Sequence, residues 1–313
     1  MPLRLGTRAS ALAQWQAEWV AARLRERGHK VELVLIATHG DATQEQASES
    51  SEGAPIGSLG TVGVFTKELQ RALLDERIDL AVHSLKDLPT DPIQGLTLVA
   101  VPKRESPFDV LVSRAGQTLD ELPQAAIVGT GSLRRRAQLL HYRPDLRLAD
   151  IRGNVDTRLR KLREGQFDAL VLAEAGLNRL GFAEHISQIL SPEVMLPAVG
   201  QGALGIETRA ADSATRSLVE LLDDRSSHAA VLAERELLST LRGGCLAPVG
   251  GYAQPLNQGV LRLRAIVLSA DGNQQLLAES TGSVETCREL GRRVAEELLA
   301  AEAAKLIAQA RSS

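Results

Sequence analysis

The stretch "AAIVGTGSLRRRAQLL", residues 125–140, indicates the fold class of this chain. An apolar run leads into glycines, and Ser132 then precedes a segment whose apolar residues recur at helical spacing. The same strand–turn–helix order is found in "RLADIRGNVDTRLRKLREG" (147–165) and "FDALVLAEAGLNRLG" (167–181). Repeated units of this kind predict α/β layers built on mainly parallel sheets.

The alternation begins at the amino terminus and changes after about residue 223. A helix is predicted over about 10–27, between the strands "PLRLG" (2–6) and "KVELVLIAT" (30–38). The segment "IDLAVHS" (78–84) is predicted to be a further strand. Beyond residue 223 a helix, a strand pair turning at "DGN" (271–273) and a last helix predict a smaller α+β part.

Composition restricts the protein class. The 313 residues include 44% hydrophobic and 3% aromatic residues, and the formal net charge is -3. No window approaches the ~18 apolar residues of a membrane span, and two cysteines favour a reducing compartment, so a cytoplasmic protein is expected. Few aromatics argue against single-stranded nucleic acid as a ligand. The six histidines have no ligand spacing, and no metal site is expected.

The two cysteines have different sequence contexts. Cys287 lies in an amphipathic helical pattern and is expected to be a buried small hydrophobe. Cys245 lies in "LRGGCLAPVGG" (241–251), where glycines and a proline exclude a regular helix or strand. This cysteine is therefore predicted to be displayed on a loop. Trp15 and Trp19, four residues apart in the first predicted helix, are expected in the core.

Positive charge is concentrated in one segment. Residues 127–163 hold ten Lys or Arg and three acids, a net charge of +7, so the remainder of the chain carries -10. Arg134 and Arg135 follow a strand at a predicted helix start, Arg152 ends a strand, and Arg158 lies near the next helix start. Helix starts at strand ends favour anions, and a guanidinium binds carboxylate or phosphate bidentately.

These positions predict a small polyanionic ligand in a cleft, since the negative charge elsewhere would repel a nucleic-acid duplex. Arg8, in a loop before the first helix, and Arg179, late in a helix, are further candidates. The remaining arginines of the basic segment are interpreted as a solvated helical face: Arg136, Arg143, Arg147, Arg160 and Arg163.

A candidate proton-transfer group lies in "DLAVHSLKDLPTD" (79–91), where an apolar strand runs into Lys86 and Asp87. An aspartate at a strand end can donate or accept a proton and can stabilise a developing cation. The residues alone leave a second interpretation open, a turn aspartate that hydrogen-bonds its own backbone.

Seven segments, in this order, resemble the porphobilinogen deaminase (hydroxymethylbilane synthase) family: "TRASALAQWQA", "FTKELQRALLDERIDLAVHSLKDLP", "VGTGSLRRRAQLL", "IRGNVDTRLRKL", "AGLNRLG", "LPAVGQGALGIE" and "LRGGCLAPVG". The resemblance implies two doubly wound domains like those of periplasmic binding proteins and a smaller α+β third domain that carries the cofactor cysteine. The implied domains are residues 1–102 with 203–220, 103–202, and 221–313.

The resemblance also implies a reaction. A dipyrromethane, joined to Cys245 through a thioether, would receive four porphobilinogen molecules head to tail, and the linear tetrapyrrole would then be released. Asp87 would assist loss of ammonia, which gives an electrophilic azafulvene, and would take the leaving ring proton. Porphobilinogen carries an acetate and a propionate, which accounts for the arginines. The implied cofactor contacts are Ser84, Lys86, Ser132, Arg134, Arg135 and Arg158, and the implied substrate contacts are Arg8, Ser10, Phe65, Arg152, Arg179 and Gln201.

The segment before Phe65 departs from the family pattern. Val62 stands where the family usually has a lysine, and the polar residues 40–63 are unusually acidic. Their composition is equally typical of a functional loop and of plain disorder, and the resemblance implies a lid.

Two other functions are considered. A two-domain binding protein for a small polyanion would use the same arginines without catalysis, but it would need neither Cys245 nor Asp87. A redox or acyl-transfer cysteine would need a histidine base, for which the sequence offers no recognisable spacing. No nucleic-acid or membrane partner is expected, and the family resemblance implies a monomer.

Overall fold

Two compact units make up the computed structural model, which describes residues 1–37, 64–244 and 247–312. Unit 1 comprises Met1–Glu105 and Ala203–His228, and unit 2 comprises Ser106–Gly202 and Ala229–Ser313. The chain therefore leaves unit 1 after Glu105 and returns to it at Ala203.

The described secondary structure follows the predicted βα order through the first two sheets. The strands are β1 (Leu3–Thr7), β2 (Val31–Leu35), β3 (Leu80–Ser84), β4 (Leu96–Ala100), β5 (Asp109–Ser113), β6 (Ile127–Gly129), β7 (Arg147–Ala149), β8 (Ala169–Ala173), β9 (Gln188–Ile189), β10 (Leu204–Arg209), β11 (Val249–Pro255), β12 (Val260–Leu268) and β13 (Gln275–Ser283). The α-helices are α1 (Ala11–Arg25), α2 (Val64–Leu74), α3 (Leu133–Tyr142), α4 (Val155–Arg163), α5 (Glu174–Leu180), α6 (Ser213–Glu220), α7 (Arg225–Thr240), α8 (Cys287–Ala300) and α9 (Ala303–Ser312).

Unit 1 is built on a sheet whose described strands have the order β2-β1-β3-β10-β4. β1 is parallel to β2 and β3, whereas β10 is antiparallel to β3 and β4. Leu5, Leu80 and Ile206 are fully buried in a cluster with Val20 and Leu24 of α1. β10 begins beside the last residue of β3, because Leu204 pairs with Ser84. The carboxyl ends of β1 and β3 and the start of β10 thus share one edge.

Unit 2 contains a second α/β sheet with the described order β7-β6-β8-β5-β9. β6 is parallel to β7 and β8, and β5 is antiparallel to β8 and β9. Its two faces are covered by different helices: Leu139 of α3 packs on one face, and Leu159 of α4 and Leu177 of α5 pack on the other. Asp109, the first residue of β5, pairs with Ala173, the last residue of β8.

The third sheet, also in unit 2, is antiparallel in the order β11-β12-β13. Its buried face packs against α7, α8 and α9 in one apolar cluster. The β12–β13 hairpin turns through Gly272, whose φ of +76° is readily adopted only by glycine. Cys287 starts α8 and is buried in this cluster.

The predicted fold class, two α/β sheets and a smaller α+β part, is confirmed by these three sheets. The expected burial of Cys287 is also confirmed. The prediction for Trp15 is wrong, because its exposed fraction is 38%. The buried face of α1 consists of Gln16, Ala17, Val20, Ala21 and Leu24, which leaves Trp15 beyond its edge, whereas Trp19 packs against the core.

Candidate functional site

Asp87 lies just beyond the carboxyl end of β3, in a short 3-10 turn over Leu85–Asp87. The residue is exposed, and none of the described residues forms an ion pair with its carboxylate. The turn is fixed at its start, because the Leu85 amide donates to the carbonyl oxygen of Ala203 at 3.0 Å. The carboxylate is therefore held on anchored backbone while its oxygens remain accessible.

The Leu85 side chain gives the same turn a second anchor. It is 1% exposed and lies against Gly205, where a methyl group would come within 2.6 Å of Leu85 Cδ1 and 2.9 Å of Leu98 Cδ1. An alanine at this position of β10 would force the Leu85 and Leu98 side chains to shift, because its methyl group would overlap both. The turn that presents Asp87 therefore packs closely against a glycine in another strand.

Ser84 is held by Gln16, a buried residue of α1. Gln16 Nε2 donates to Ser84 Oγ at 2.8 Å, and the same hydroxyl lies 3.2 Å from Gln16 Oε1. Ser10 caps α1 by accepting the Ala13 amide at 3.4 Å. Lys86 and Arg8 are half-buried, Arg8 in the loop between β1 and α1. These candidates of unit 1 thus gather at the edge where β1 and β3 end.

A buried polar group behind β3 was missed by the sequence analysis. His83 Nε2 lies 3.1 Å from Glu207 Oε2, and Gln70 Nε2 donates to Glu207 Oε1 at 3.2 Å. Both side chains of the His83–Glu207 pair are less than 10% exposed. His83 and Glu207 lie in different strands, β3 and β10, and nothing in the sequence indicates that the two side chains pair.

In unit 2 a single buried carboxylate joins three of the predicted binding residues. Asp109 Oδ2 lies 2.8 Å from Arg134 Nη1, and Asp109 Oδ1 lies 2.7 Å from Arg135 Nη2. Gln201 Nε2 donates to the same Oδ1 at 3.0 Å. Arg134 also donates to the Leu196 carbonyl, and Arg135 to the Val171 carbonyl. We name Asp109, Arg134, Arg135 and Gln201, with neighbouring Arg158, the arginine cluster.

The electrostatics of the arginine cluster follow from its burial. Burial alone would raise the pKa of Asp109, but the charges of Arg134 and Arg135 outweigh it and hold that pKa well below its usual range. Burial lowers the pKa of Arg134, against the attraction of Asp109. Burial, helped by the charge of Arg135, lowers the pKa of Arg158 to about 10. The Arg158 guanidinium thus remains charged at neutral pH.

The other candidates of unit 2 lie at the same sheet edge. Arg158 Nε donates to the carbonyl of Gly153, and among the described residues no acid forms an ion pair with Arg158. Arg179 Nη2 donates to the Gly202 carbonyl at 2.7 Å. Arg152 is exposed in the loop before α4. Ser132 occupies the N-cap position of α3, but its side chain makes no capping hydrogen bond.

Two arginines assigned to the solvated face, Arg143 and Arg136, differ from that prediction. Arg143 is half-buried: it forms an ion pair with Asp145 at 2.7 Å and donates to the Leu119 and Leu122 carbonyls. It therefore fastens the end of α3 to the preceding loop. Arg147, Arg160 and Arg163 are exposed, and Arg136 is half-buried.

Three candidate positions fall wholly or partly outside the described residues. Cys245 and Val62 lie outside them, and Phe65 is described as backbone of α2 but not as a side chain. Next to Cys245, Gly244 has a φ of +63°, and Arg311 Nη2 donates to the Gly243 carbonyl at 2.9 Å.

The arrangement suits an organic anion. Within the described residues, no group of three His, Cys, Asp or Glu side chains could hold a metal ion. No helix among these residues is both long enough and apolar enough to span a membrane. The arginine cluster, by contrast, offers several guanidinium groups at the edge where α/β sheets bind ligands.

Two family models match the chain. The model described as "Porphobilinogen deaminase, dipyromethane cofactor binding domain" matches residues 3–217, and the model described as "Porphobilinogen deaminase, C-terminal domain" matches residues 228–300. Together they span both units.

The chain is similar over nearly its whole length to proteins named porphobilinogen deaminase. The chain is 47% identical over 311 residues to the porphobilinogen deaminase of Pelotomaculum thermopropionicum, covering 99% of this chain and 97% of that protein. It is 46% identical over 308 residues to the porphobilinogen deaminase of Brevibacillus brevis, covering 98% and 96%. Among solved structures, the methionine binding protein MetQ is similar over 70% of this chain and 89% of its own, at 14% identity and a TM-score of 0.44.

Proposed function

The chain belongs to the porphobilinogen deaminase family, and we propose how its own residues carry out the family's reaction. It condenses four porphobilinogen molecules head to tail, with loss of ammonia, onto a dipyrromethane and releases the linear tetrapyrrole hydroxymethylbilane. It is thus a transferase of tetrapyrrole and heme biosynthesis. This family membership displaces the alternative of a non-catalytic polyanion binder.

The arginine cluster is the observation that carries the assignment of residues. Each pyrrole of the cofactor and substrate brings an acetate and a propionate, so the bound chain is a polycarboxylate. Arg134, Arg135 and Arg158 provide three guanidinium groups for the single carboxylate of Asp109. Buried positive charge in excess of its counter-charge is costly unless an anion joins it, so the cluster fits the dipyrromethane.

We assign the cofactor contacts to Ser84, Lys86, Ser132, Arg134, Arg135 and Arg158, with the thioether at Cys245. The substrate contacts assigned are Arg8, Ser10, Phe65, Arg152, Arg179 and Gln201. The hydrogen bonds of Ser84 with Gln16, and of Gln201 with Asp109, support a fixed orientation for two of these side chains. Preorganised donors of this kind bind carboxylates with little loss of side-chain entropy.

Asp87 is assigned the proton transfers. When bound, the dipyrromethane would supply the free ring carbon for the first condensation, and the terminal pyrrole of the growing chain would supply it for each later one. The Asp87 carboxylate would stabilise the positive charge that develops on the substrate as ammonia leaves, and would then accept the ring proton released after carbon–carbon bond formation. Its exposure on an anchored turn supports this role, because a reacting group can approach oxygens that no described side chain engages.

The domain assignment, the partners and the location are part of the same proposal. We assign three domains, residues 1–102 with 203–220, 103–202, and 221–313, and each contains one of the three sheets. The protein is proposed to act as a cytoplasmic monomer on porphobilinogen, without a nucleic-acid or membrane partner. Sedimentation of the purified protein at micromolar concentration tests the monomer, and a dimer would contradict it.

The intact mass of the purified protein tests the attachment. Protein made in cells with ample porphobilinogen should exceed its sequence mass by two linked pyrrole units, and Cys245→Ala should lack that excess. Cys287→Ala is the matched control, because this buried cysteine of α8 should leave the excess unchanged. An unmodified wild-type mass, or an excess retained in Cys245→Ala, would contradict the assignment.

A further inference from the structure

Asp109 is the buried carboxylate that the proposed mechanism leaves without a task. Its side chain is fully buried, and both oxygens face side chains assigned to carboxylate binding. Arg135 donates to Oδ1 through Nε at 2.9 Å as well as through Nη2, and Gln201 donates to the same oxygen. Asp109 therefore contacts three members of the cluster at once.

The position of Asp109 in the sheet explains this convergence. β5 is antiparallel to β8, so its first residue lies beside Ala173, where β8 ends. The loops that follow β6 and β8 leave the sheet at this edge, and Arg134 and Arg135 lie in the first turn of the helix after β6. An acid at the start of one strand thus meets bases that follow the end of another.

Charge counting shows what Asp109 changes. Three guanidinium groups and one carboxylate leave the arginine cluster with two positive charges in excess. Among the described residues no second acid forms an ion pair with Arg134, Arg135 or Arg158. Without Asp109 the excess would be three charges at the same place.

We propose that Asp109 is a positioning residue that also limits the hold of the arginine cluster on the growing pyrrole chain. This inference rests on the proposed function. The chain gains two carboxylates with every added pyrrole, and in this proposal the pyrroles that contact the arginine cluster shift along it between condensations. A cluster that bound every intermediate tightly would favour those intermediates over the transition states between them and would slow elongation. Asp109 competes with substrate carboxylates for the same guanidinium groups and keeps that attraction reversible.

The test compares Asp109→Asn with Asp168→Asn. Asp168 immediately precedes β8, at the opposite end of the same sheet, where it accepts the Ile127 amide at 2.8 Å and pairs with exposed Arg114. Both variants remove one negative charge from unit 2, but only Asp109→Asn changes the arginine cluster. Each holoenzyme is quenched during steady-state turnover, its covalent pyrrole adducts are counted by intact mass, and product formation is measured at low and high KCl.

If Asp109 had only a structural role, its replacement should reduce the covalent adducts. The inference predicts the opposite change in adducts and a gain of turnover with salt. Asp109→Asn should accumulate adducts with added pyrroles and should turn over at least about tenfold more slowly at low salt, because an extra desolvated charge easily contributes the ~1.4 kcal/mol of a tenfold change. Added KCl should recover part of this turnover, because chloride competes with the pyrrole carboxylates for the guanidinium groups. Asp168→Asn should match wild type. Loss of adducts, with further inhibition by salt, would overturn the inference.

A second variant keeps the inference testable should Asp109→Asn not fold. Asp109→Asn/Gln201→Glu returns one carboxylate from a side chain 3.0 Å away, so it should fold. Because Gln201 is itself an assigned substrate contact, the comparison is with Gln201→Glu, which carries the same change but keeps Asp109. The double variant should accumulate more added-pyrrole adducts than Gln201→Glu and recover more of its turnover in KCl. Equal adduct patterns and salt responses in these two folded variants would overturn the inference. A wild-type enzyme without any adduct would overturn the proposed function, and with it this inference. A normal wild type with a normal Asp109→Asn would overturn the inference alone.

Discussion

Gln16 fixes the hydroxyl of Ser84: the amide Nε2 lies 2.8 Å from Ser84 Oγ and joins α1 to the end of β3. The contact spans 68 residues of sequence and reaches the strand that presents Asp87 three residues later. Gln16 is not itself assigned as a cofactor or substrate contact, but this hydrogen bond ties it to the turn that carries Asp87.

Gln16→Leu is expected to lower kcat by a few-fold with little change in the KM for porphobilinogen. The substitution keeps the buried volume but frees the Ser84 hydroxyl, and loss of one such bond costs about 1 kcal/mol. The measurement is steady-state product formation beside a thermal unfolding curve. Gln14→Leu, on the same helix but exposed, is the matched control and should match wild type. Equal loss of activity in both variants would argue against a role for the Ser84 contact.

Gly205→Ala is expected to displace the turn that carries Asp87. The new methyl group would lie 2.6 Å from Leu85 Cδ1, and overpacking of this kind costs about 1–3 kcal/mol. Activity should fall further than the small loss of stability explains, because Leu85 begins the catalytic turn. Gly176→Ala in α5 meets no atom within 4 Å and should be neutral or slightly stabilising. A fully active Gly205→Ala enzyme would show that the turn tolerates the shift.

The pH dependence of turnover should reveal Arg158. Burial and the charge of Arg135 lower its pKa to about 10, so the neutral form accumulates as the pH rises through that value. Because the charged form is assigned to hold a cofactor carboxylate in place for condensation, kcat/KM for porphobilinogen should fall there. In Arg158→Lys the same surroundings act on a group whose ordinary pKa is only about 10.4, so the fall should move to lower pH.

Arg160→Lys is the control for this titration. Arg160 lies two residues further along α4, where it is exposed and paired with Glu164 at 3.0 Å. Its replacement should leave the pH profile where it is in wild type. A profile that is the same in Arg158→Lys and in wild type would show that the ionisation of residue 158 does not set this pH dependence.

The sequence alone predicted the order of helices and strands and the places of most arginines in them. Repeated βα units predicted two α/β sheets, and the "DGN" turn predicted the β12–β13 hairpin. Arg134 and Arg135 were expected at a helix start, and they lie in the first turn of α3. These features depend on local spacing, which a single sequence displays.

Asp109 and Gln16 could not be found in this way. Asp109 begins a strand, whereas the predicted ligand contacts lie where strands end. Only the antiparallel pairing of β5 with β8 brings Asp109 to that edge. Gln16 lies on the buried face of α1, where a single polar residue does not reveal its partner in β3. Both contacts depend on pairing between distant segments. Of these two residues, only Asp109 is marked in the sequence, as an acid at the start of an otherwise apolar strand.

The proposed mechanism requires one carboxyl group, that of Asp87, to move the proton in every condensation. The decisive measurement is ammonia release by Asp87→Asn holoenzyme at saturating porphobilinogen, with Asp91→Asn, an exposed acid of the same loop, as control. Asp87→Asn is expected to keep at least part of its covalent chromophore yet release ammonia at least about a hundredfold more slowly than wild type and Asp91→Asn. Undiminished ammonia release by Asp87→Asn would contradict this role.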